Sequence, residues 1–218
     1  MDREAREALY EAHRAAMTEE HILGRGVRDA AVLDAFRAVR RHRFVPARAA
    51  RFAYEDNALP IGHDQTISQP YIVAVMLEAA RIEPGARVLD VGTGSGYVAA
   101  LLAEMGAEVH TVERIEPLAE RAAAALQEEG YGAVHCHIGD GYEGWPEGAP
   151  YDAIVVGAAP PAVPPTLVDQ LRPGGRLVIP VGTTAQDLKV IQKTAGRTHT
   201  TELCPVLFVP MIPAVDAG

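Results

Sequence analysis

Two hundred and eighteen residues suffice for one α/β domain of generous size, and such a chain buries roughly 70% of its unfolded surface without a disulfide or a metal. Hydrophobic residues make up 48% and charged residues 22%, which excludes a disordered chain. With 20 Lys plus Arg against 29 Asp plus Glu the net charge is −9, so the sequence does not read as a phosphate-backbone binder and no nucleic-acid partner is expected.

The two cysteines, Cys136 and Cys204, are far apart and outside any CxxC spacing, which points to a reducing compartment. The stretch from Met1 to Glu7 is charged and lacks the apolar run of a signal peptide, and no segment approaches the roughly 18 apolar residues of a membrane span. A cytoplasmic protein without a membrane partner is expected. A monomer is the default, since neither a repeat nor a coiled-coil seam is visible.

The first forty residues read as helix. Leu9, Ala12 and Ala16, then Ile22 and Leu23, sit among Arg and Glu, and Ala31, Val32, Ala35, Phe36 and Val39 form a second apolar stripe at helical spacing. Residues 44–70 are loop-like, punctuated by Asn57, Pro60, Gly62 and Pro70. Helix resumes over 71–80, with Pro70 suited to the first helical position.

From there strand alternates with helix. Strands are expected over 87–91, 108–112, 133–138, 151–156 and 175–181, and helices over 97–105, 115–129 and 166–171. That alternation predicts βαβ units and a Rossmann-like α/β fold, a parallel sheet with helices on both faces. Residues 187–211 read as further strands, with Leu207-Phe208-Val209 apolar. The expected organisation is one compact domain: N-terminal helices and a substrate-side loop over 1–80, the core over 81–212, and a frayed tail over 213–218.

Asp90-Val91-Gly92-Thr93-Gly94-Ser95-Gly96 follows the first core strand and opens a helix, which in a doubly wound sheet is the ligand crevice. Glycines let the backbone turn tightly and lie against a ligand. A dinucleotide loop spaces its glycines GxGxxG, which would put the third where Tyr97 stands; here the spacing is GxGxG. Asp90 lies just before the loop, where a carboxylate would repel a pyrophosphate but suit an ammonium or sulfonium group. Glu113, at the end of the second core strand, is placed to pair with ribose hydroxyls, and Asp140 in Gly139-Asp140-Gly141 adds a polar group at the same sheet edge. An adenosine with a cationic amino-acid tail fits this set: S-adenosylmethionine, in preference to NAD. The other motif, Thr66-Ile67-Ser68-Gln69-Pro70-Tyr71, reads on residue chemistry alone as an ordinary helix N-cap.

Taken together the motifs resemble the protein-L-isoaspartate (D-aspartate) O-methyltransferase family. The matching stretches are Thr66 to Pro70, Val88 to Tyr97, Val112-Glu113-Arg114, Gly139-Asp140-Gly141, Tyr151 to Ala159, Pro173 to Gly182 and Phe208-Val209-Pro210. They span about residues 40–212, and the Thr-Ile-Ser element is far more specific than the glycine loop. The resemblance implies a class I methyltransferase sheet flanked by N-terminal helices. It also implies a repair reaction, in which the methyl of S-adenosylmethionine passes to the free α-carboxylate of an L-isoaspartyl residue in a damaged protein and S-adenosylhomocysteine is left. The ester then closes to a succinimide whose hydrolysis returns some aspartate. Some relatives also accept D-aspartyl residues.

The acceptor carboxylate, with a pKa near 4, is ionised at neutral pH, so no general base is needed and the task is orientation. Neutral donors suit that task better than a tight Arg pair. The resemblance places the family's functional serine at Ser68, with Thr66, Ile67, Gln69, Glu113, Arg114, Asp140 and Gly141 near the cofactor beside Asp90, Gly92, Thr93, Gly94 and Gly96. One departure stands out: many relatives follow the motif proline with His, and this chain has Tyr71.

Other features carry less. Strand alternation keeps His135, Cys136 and His137 from converging, so no metal is expected, and they read as an edge-strand pair plus one core thiol. Tyr142 and Trp145 read as loop packing, Glu7, Glu11 and Arg14 as a solvated helix face, and His63 as a surface residue. The alternatives to a repair methyltransferase are a small-molecule O-methyltransferase and a non-catalytic adaptor that binds isoaspartyl chains.

Overall fold

The computed structural model describes residues 3–213. Helix α1 (Arg3–Ala16) runs on through a π-helical turn (Met17–Ile22) and a 3-10 turn (Leu23–Arg25) that stops at Gly26 in the left-handed region, φ 106°. Helix α2 (Ala30–Ala38) is N-capped by Asp29, whose side chain accepts from the Val32 N–H at 3.1 Å. A small antiparallel hairpin follows, β1 (Leu59–Gly62) with β2 (Gln65–Ile67), and leads into α3 (Pro70–Ala80) with Pro70 at its first position.

The core then alternates: β3 (Arg87–Val91), α4 (Tyr97–Glu104), β4 (Glu108–Glu113), α5 (Glu116–Glu128), β5 (His135–Ile138), β6 (Tyr151–Val156) and α6 (Pro165–Asp169). Three long strands close it, β7 (Leu171–Gly182), β8 (Gln186–Thr194) and β9 (Arg197–Val206). The seven-stranded sheet has the order β5-β4-β3-β6-β7-β8-β9. Pairing is parallel from β5 through β7, and β8 and β9 add antiparallel strands. Chain direction across the sheet reverses between β3 and β6, which puts the crevice of a doubly wound sheet at their carboxyl ends. β3 and β6 are buried on both faces, which is why each reads as a nearly continuous apolar run.

The N-terminal segment packs into the same apolar cluster as the sheet. Phe36 meets Tyr97 edge-on at 6.0 Å, and Arg40 and Arg43 both grip Glu129, beyond the end of α5, at 2.7 and 2.8 Å.

Several expectations need correction. Leu9, Ala12 and Ala16 are exposed; α1 packs instead through Tyr10, stacked on the buried His42 at 4.1 Å, and the chain is buried just beyond it at Met17. The segment taken as loop contains β1 and β2, three and four residues long, too short to show alternation. Leu171 does not end a helix but opens β7, which carries its Pro-Gly-Gly as part of a strand irregular opposite β6. Cys136 is exposed, not a core thiol, because β5 is a short edge strand with little cover. Residues 207–209 are not strand; the chain there turns back so that Pro210 bridges Ala159. Apart from Pro213, the expected tail lies outside the described residues. Among the described residues no helix is long and apolar enough to cross a membrane.

Candidate active site

The site grows from the carboxyl ends of β3 and β4. Beyond Val91 the chain must leave the sheet sharply, and Gly92 does so with φ 89°, its N–H donating to the Val112 carbonyl at 2.9 Å. Gly96 caps α4 with φ 88°, and a Cβ there would meet Leu126 Cγ at 3.2 Å, so both conformation and space require glycine. Glu113 is 7% exposed, and its two carboxylate oxygens accept from the Gly94 and Ile115 N–H groups, each at 2.9 Å. One acid therefore holds the glycine loop and the start of the next connection together, with lone pairs left for further donors.

Beneath the loop, Thr111 donates to Asp90 Oδ2 at 2.8 Å, and the hydroxyls of Thr93 and Thr111 lie 2.6 Å apart. Asp90 is 1% exposed, and burial pushes its carboxyl up to about 7; the Thr111 hydrogen bond opposes this and the Glu113 charge adds to it. Its side chain faces Thr111 rather than the cleft wall.

A cleft of about 610 Å³ opens above. Val91, Val112, Ile115 and Met211 give it apolar walls, and Gly92, Gly94, Glu113, Arg114 and Thr66 supply polar groups and close-lying backbone. Gly141 forms part of the lining, and a Cβ on it would come within 2.9 Å of Val91 Cγ1. Apolar surface for a flat ring, one carboxylate for hydroxyls and bare backbone at the loop together fit a nucleoside with an amino-acid tail.

A neighbouring cleft of about 660 Å³ is lined by Ser68, Gln69, Asp56, Leu207 and Phe208 among others. Thr66, Gly157 and Val209 line both clefts, so the two meet at a shared wall. That wall is fixed by backbone pairing: Ala159 N–H donates to the Val209 carbonyl at 2.8 Å and Met211 N–H to the Ala159 carbonyl at 2.9 Å.

Ser68 does not cap α3. Gln69 is the cap residue and makes no side-chain cap bond; Asp56 Oδ1 accepts from the Tyr71 N–H at 3.1 Å instead. Asp56 Oδ2 also takes Gln69 Nε2 at 2.7 Å and Arg25 at 2.6 Å. With capping handled by Asp56, the half-buried Ser68 side chain lines the second cleft.

The expected residues thus divide. Thr66, Gly92, Gly94, Glu113, Arg114 and Gly141 line the first cleft, while Asp90, Thr93 and Gly96 build the loop's support. Ile67 is buried in the hairpin, Gln69 lines the second cleft, and Asp140 Oδ1 accepts from the Tyr142 N–H at 2.9 Å. His63 sits exposed in the hairpin turn with φ 53°, outside both linings. Tyr71 carries the Arg25 guanidinium 3.5 Å over its ring and lines neither cleft. Sequence reasoning missed Asp56, Ile115 and Met211; Ala158, Val209 and Pro210 were visible within motifs but not as wall residues.

A doubly wound sheet with this loop, this acid and this crevice defines a class I S-adenosylmethionine-dependent methyltransferase. A family profile described as protein-L-isoaspartate(D-aspartate) O-methyltransferase matches residues 12–216. The chain is 58% identical over 196 residues to a protein-L-isoaspartate O-methyltransferase of Opitutus terrae, covering 89% of this chain and 84% of that one. A solved protein-L-isoaspartate O-methyltransferase superposes with TM-score 0.81 at 28% identity over 92% of this chain; the chain spans 65% of that structure's length. A Plasmodium falciparum structure described as a methyltransferase of the same kind, in complex with S-adenosyl-L-homocysteine, gives TM-score 0.80 at 27% identity, covering 91% of this chain and 98% of that one. The chain belongs to the protein-L-isoaspartate(D-aspartate) O-methyltransferase family.

Proposed function

We propose that this chain is a repair enzyme that methylates the free α-carboxylate of L-isoaspartyl residues, and of D-aspartyl residues where they fit, in damaged proteins. The observation that carries the reading is the pair of adjoining clefts with the common wall of Thr66, Gly157 and Val209. When bound, S-adenosylmethionine would supply an electrophilic methyl on a sulfonium, whose transfer to oxygen needs no metal and leaves the sulfur as the neutral thioether of S-adenosylhomocysteine.

The chain's own residues bind and orient. Glu113 accepts ribose hydroxyls while its bonds to Gly94 and Ile115 keep the loop in place, and Gly92, Gly94, Gly141 and the apolar walls seat the nucleoside. Asp90, Thr93 and Gly96 hold the loop from below, Arg114 and Thr66 line the cofactor cleft, Gln69 lines the neighbouring one, and Ile67 in the core and Asp140 at the Tyr142 N–H brace the segments around them. Ser68 donates its hydroxyl to the acceptor carboxylate and turns one oxygen toward the shared wall. That oxygen needs no deprotonation at neutral pH, so the gain in rate comes from proximity and orientation. The exposed Leu207, beside Ser68's cleft, offers apolar surface to a peptide side chain. Two free cysteines support a reducing, cytoplasmic setting, and a monomer is the proposed working state.

The test is methyl transfer from labelled S-adenosylmethionine to two peptides that differ only in isoaspartyl against aspartyl linkage. Base-labile label on the isoaspartyl peptide alone is expected. Cofactor binding with neither peptide labelled would overturn the reading and favour a small-molecule acceptor or an adaptor.

A further inference from the structure

At the far edge of the sheet a second set of chemistry-bearing side chains converges. The parallel register sets His110 of β4 opposite His135 of β5, and the two-residue period of a strand puts Glu108 and His137 on that same face. Donor atoms of Glu108, His110 and His135 all lie within 4.8 Å of one another. The ring of His110 stacks between its neighbours, 4.7 Å from His135 and 5.3 Å from His137.

The hydrogen bonding around this group resembles the outer shell of a metal site. His110 Nδ1 lies 3.1 Å from His137 Nε2, and His110 Nε2 faces Glu108 Oε1 at 3.7 Å. In the tautomer where Nδ1–H donates to His137, the lone pair of Nε2 points toward Glu108 and is free to ligate. Such a bond to the second ring nitrogen fixes a metal-binding imidazole. His137 is itself backed by Trp145, stacked at 3.9 Å, and Arg87 holds the Glu108 carboxylate at 3.2 Å. Ligand atoms of a tetrahedral site with bonds of about 2.0–2.1 Å lie roughly 3.4 Å apart, so closing the set takes a shift of about 1 Å together with rotation of the exposed His135 ring out of its stack on His110, which brings its in-plane lone pair toward the other two ligands.

We propose that Glu108, His110 and His135 form a binding site for a divalent cation with a preference for imidazole and carboxylate, zinc being the fitting case, with water as the fourth ligand. The cation ties the short, exposed edge strand β5 to β4 and acts on stability, not on methyl transfer. His110 precedes Glu113, and His137 precedes Asp140, by three residues, about 10 Å of strand from the cofactor edge.

Metal-stripped, full-length protein titrated with zinc chloride in a non-chelating buffer should bind one equivalent with a Kd at or below about 10 μM. A hundredfold excess of zinc over Kd should raise Tm by roughly 5 to 10 °C. His135→Ala and Glu108→Gln should each weaken binding by about 10-fold or more while the metal-free Tm stays close to that of the parent protein, and His199→Ala, at an exposed position on β9 at the opposite edge of the sheet, should leave binding unchanged. Cobalt(II) should give visible bands of a low-coordinate site without a thiolate charge-transfer band. Absence of stoichiometric binding, binding indifferent to His135→Ala, or a thiolate band implicating Cys136 would each overturn the proposal.

Discussion

Arg41 Nη2 donates to the backbone carbonyl of Ser68 at 2.8 Å. The same guanidinium is fully buried, donates through Nε to the Ala53 carbonyl at 2.8 Å, and lies 4.9 Å from the centre of the Tyr97 ring, the first residue of α4 after the glycine loop. Burial pulls its pKa down to about 10, against the opposing pull of Tyr97, Tyr54 and Asp56, so it keeps its charge at neutral pH. One side chain from the N-terminal segment thereby links Ser68 of the second cleft to the helix that follows the glycine loop.

Arg41→Lys keeps the charge but has no planar fork to span separate carbonyls. The exchange should cost about 1–3 kcal/mol of stability, measured by urea unfolding. It should lower kcat/KM for an isoaspartyl peptide more than it lowers S-adenosylhomocysteine affinity. Equal losses in both would show that Arg41 supports the fold alone.

Ser68→Ala removes one neutral donor to a charged acceptor. A hydrogen bond of that kind is worth about 1.5–3 kcal/mol, so kcat/KM should fall by about 10- to 100-fold while S-adenosylhomocysteine binding by calorimetry changes less than about 2-fold. Unchanged turnover would remove Ser68 from the acceptor site.

Glu113→Gln leaves one carbonyl oxygen where two carboxylate oxygens now receive the Gly94 and Ile115 N–H groups. Cofactor affinity should drop by about 10- to 100-fold, with loop amides exchanging faster by hydrogen–deuterium exchange. Parental affinity would exclude Glu113 from ribose binding.

Asp90 makes stability depend on pH in a definite direction. Its folded pKa, pushed to about 7, lies above the ordinary carboxylate value of 3.8, so its contribution is fully present below pH 3.8 and is lost as pH rises through about 7. Asp90→Asn removes the buried charge while keeping an acceptor for Thr111. The ligand-free variant should therefore gain on the parent protein between pH 4 and pH 8, by on the order of 2–4 kcal/mol at the upper end. Parallel pH–stability curves would show that Asp90 is not the titrating group.

Leu207 is 86% exposed beside the acceptor cleft. Leu207→Ser should raise KM for an isoaspartyl peptide by about 3- to 10-fold, the value of apolar area on the order of 1 kcal/mol, and leave kcat and cofactor affinity alone. A shift in kcat instead would mean that the residue shapes the reacting geometry.

The parts of this molecule legible in its sequence are those where burial dictates residue type over a whole element. β3, β6 and the glycine loop could be read because strands covered on both faces must be apolar and because the exit from β3 demands positive φ at Gly92 and Gly96. The hairpin before α3 could not, since its strands are held by backbone pairing and by the elements around them. Arg41 left no trace because it reaches for the carbonyls of Ala53 and Ser68, and a carbonyl carries no residue signature. Asp56 was hidden for a related reason: it caps a helix that starts fourteen residues later in the chain, so no local capping pattern exists.

The wall of Thr66, Gly157 and Val209 is common to both clefts, so a cofactor and a peptide seated together would touch the same three residues. That wall is already held by the Ala159–Val209 and Met211–Ala159 backbone bonds, so coupling between the two ligands runs through direct contact across it and not through ordering of backbone. Reciprocity then requires that a peptide strengthen S-adenosylhomocysteine by the same factor as S-adenosylhomocysteine strengthens the peptide.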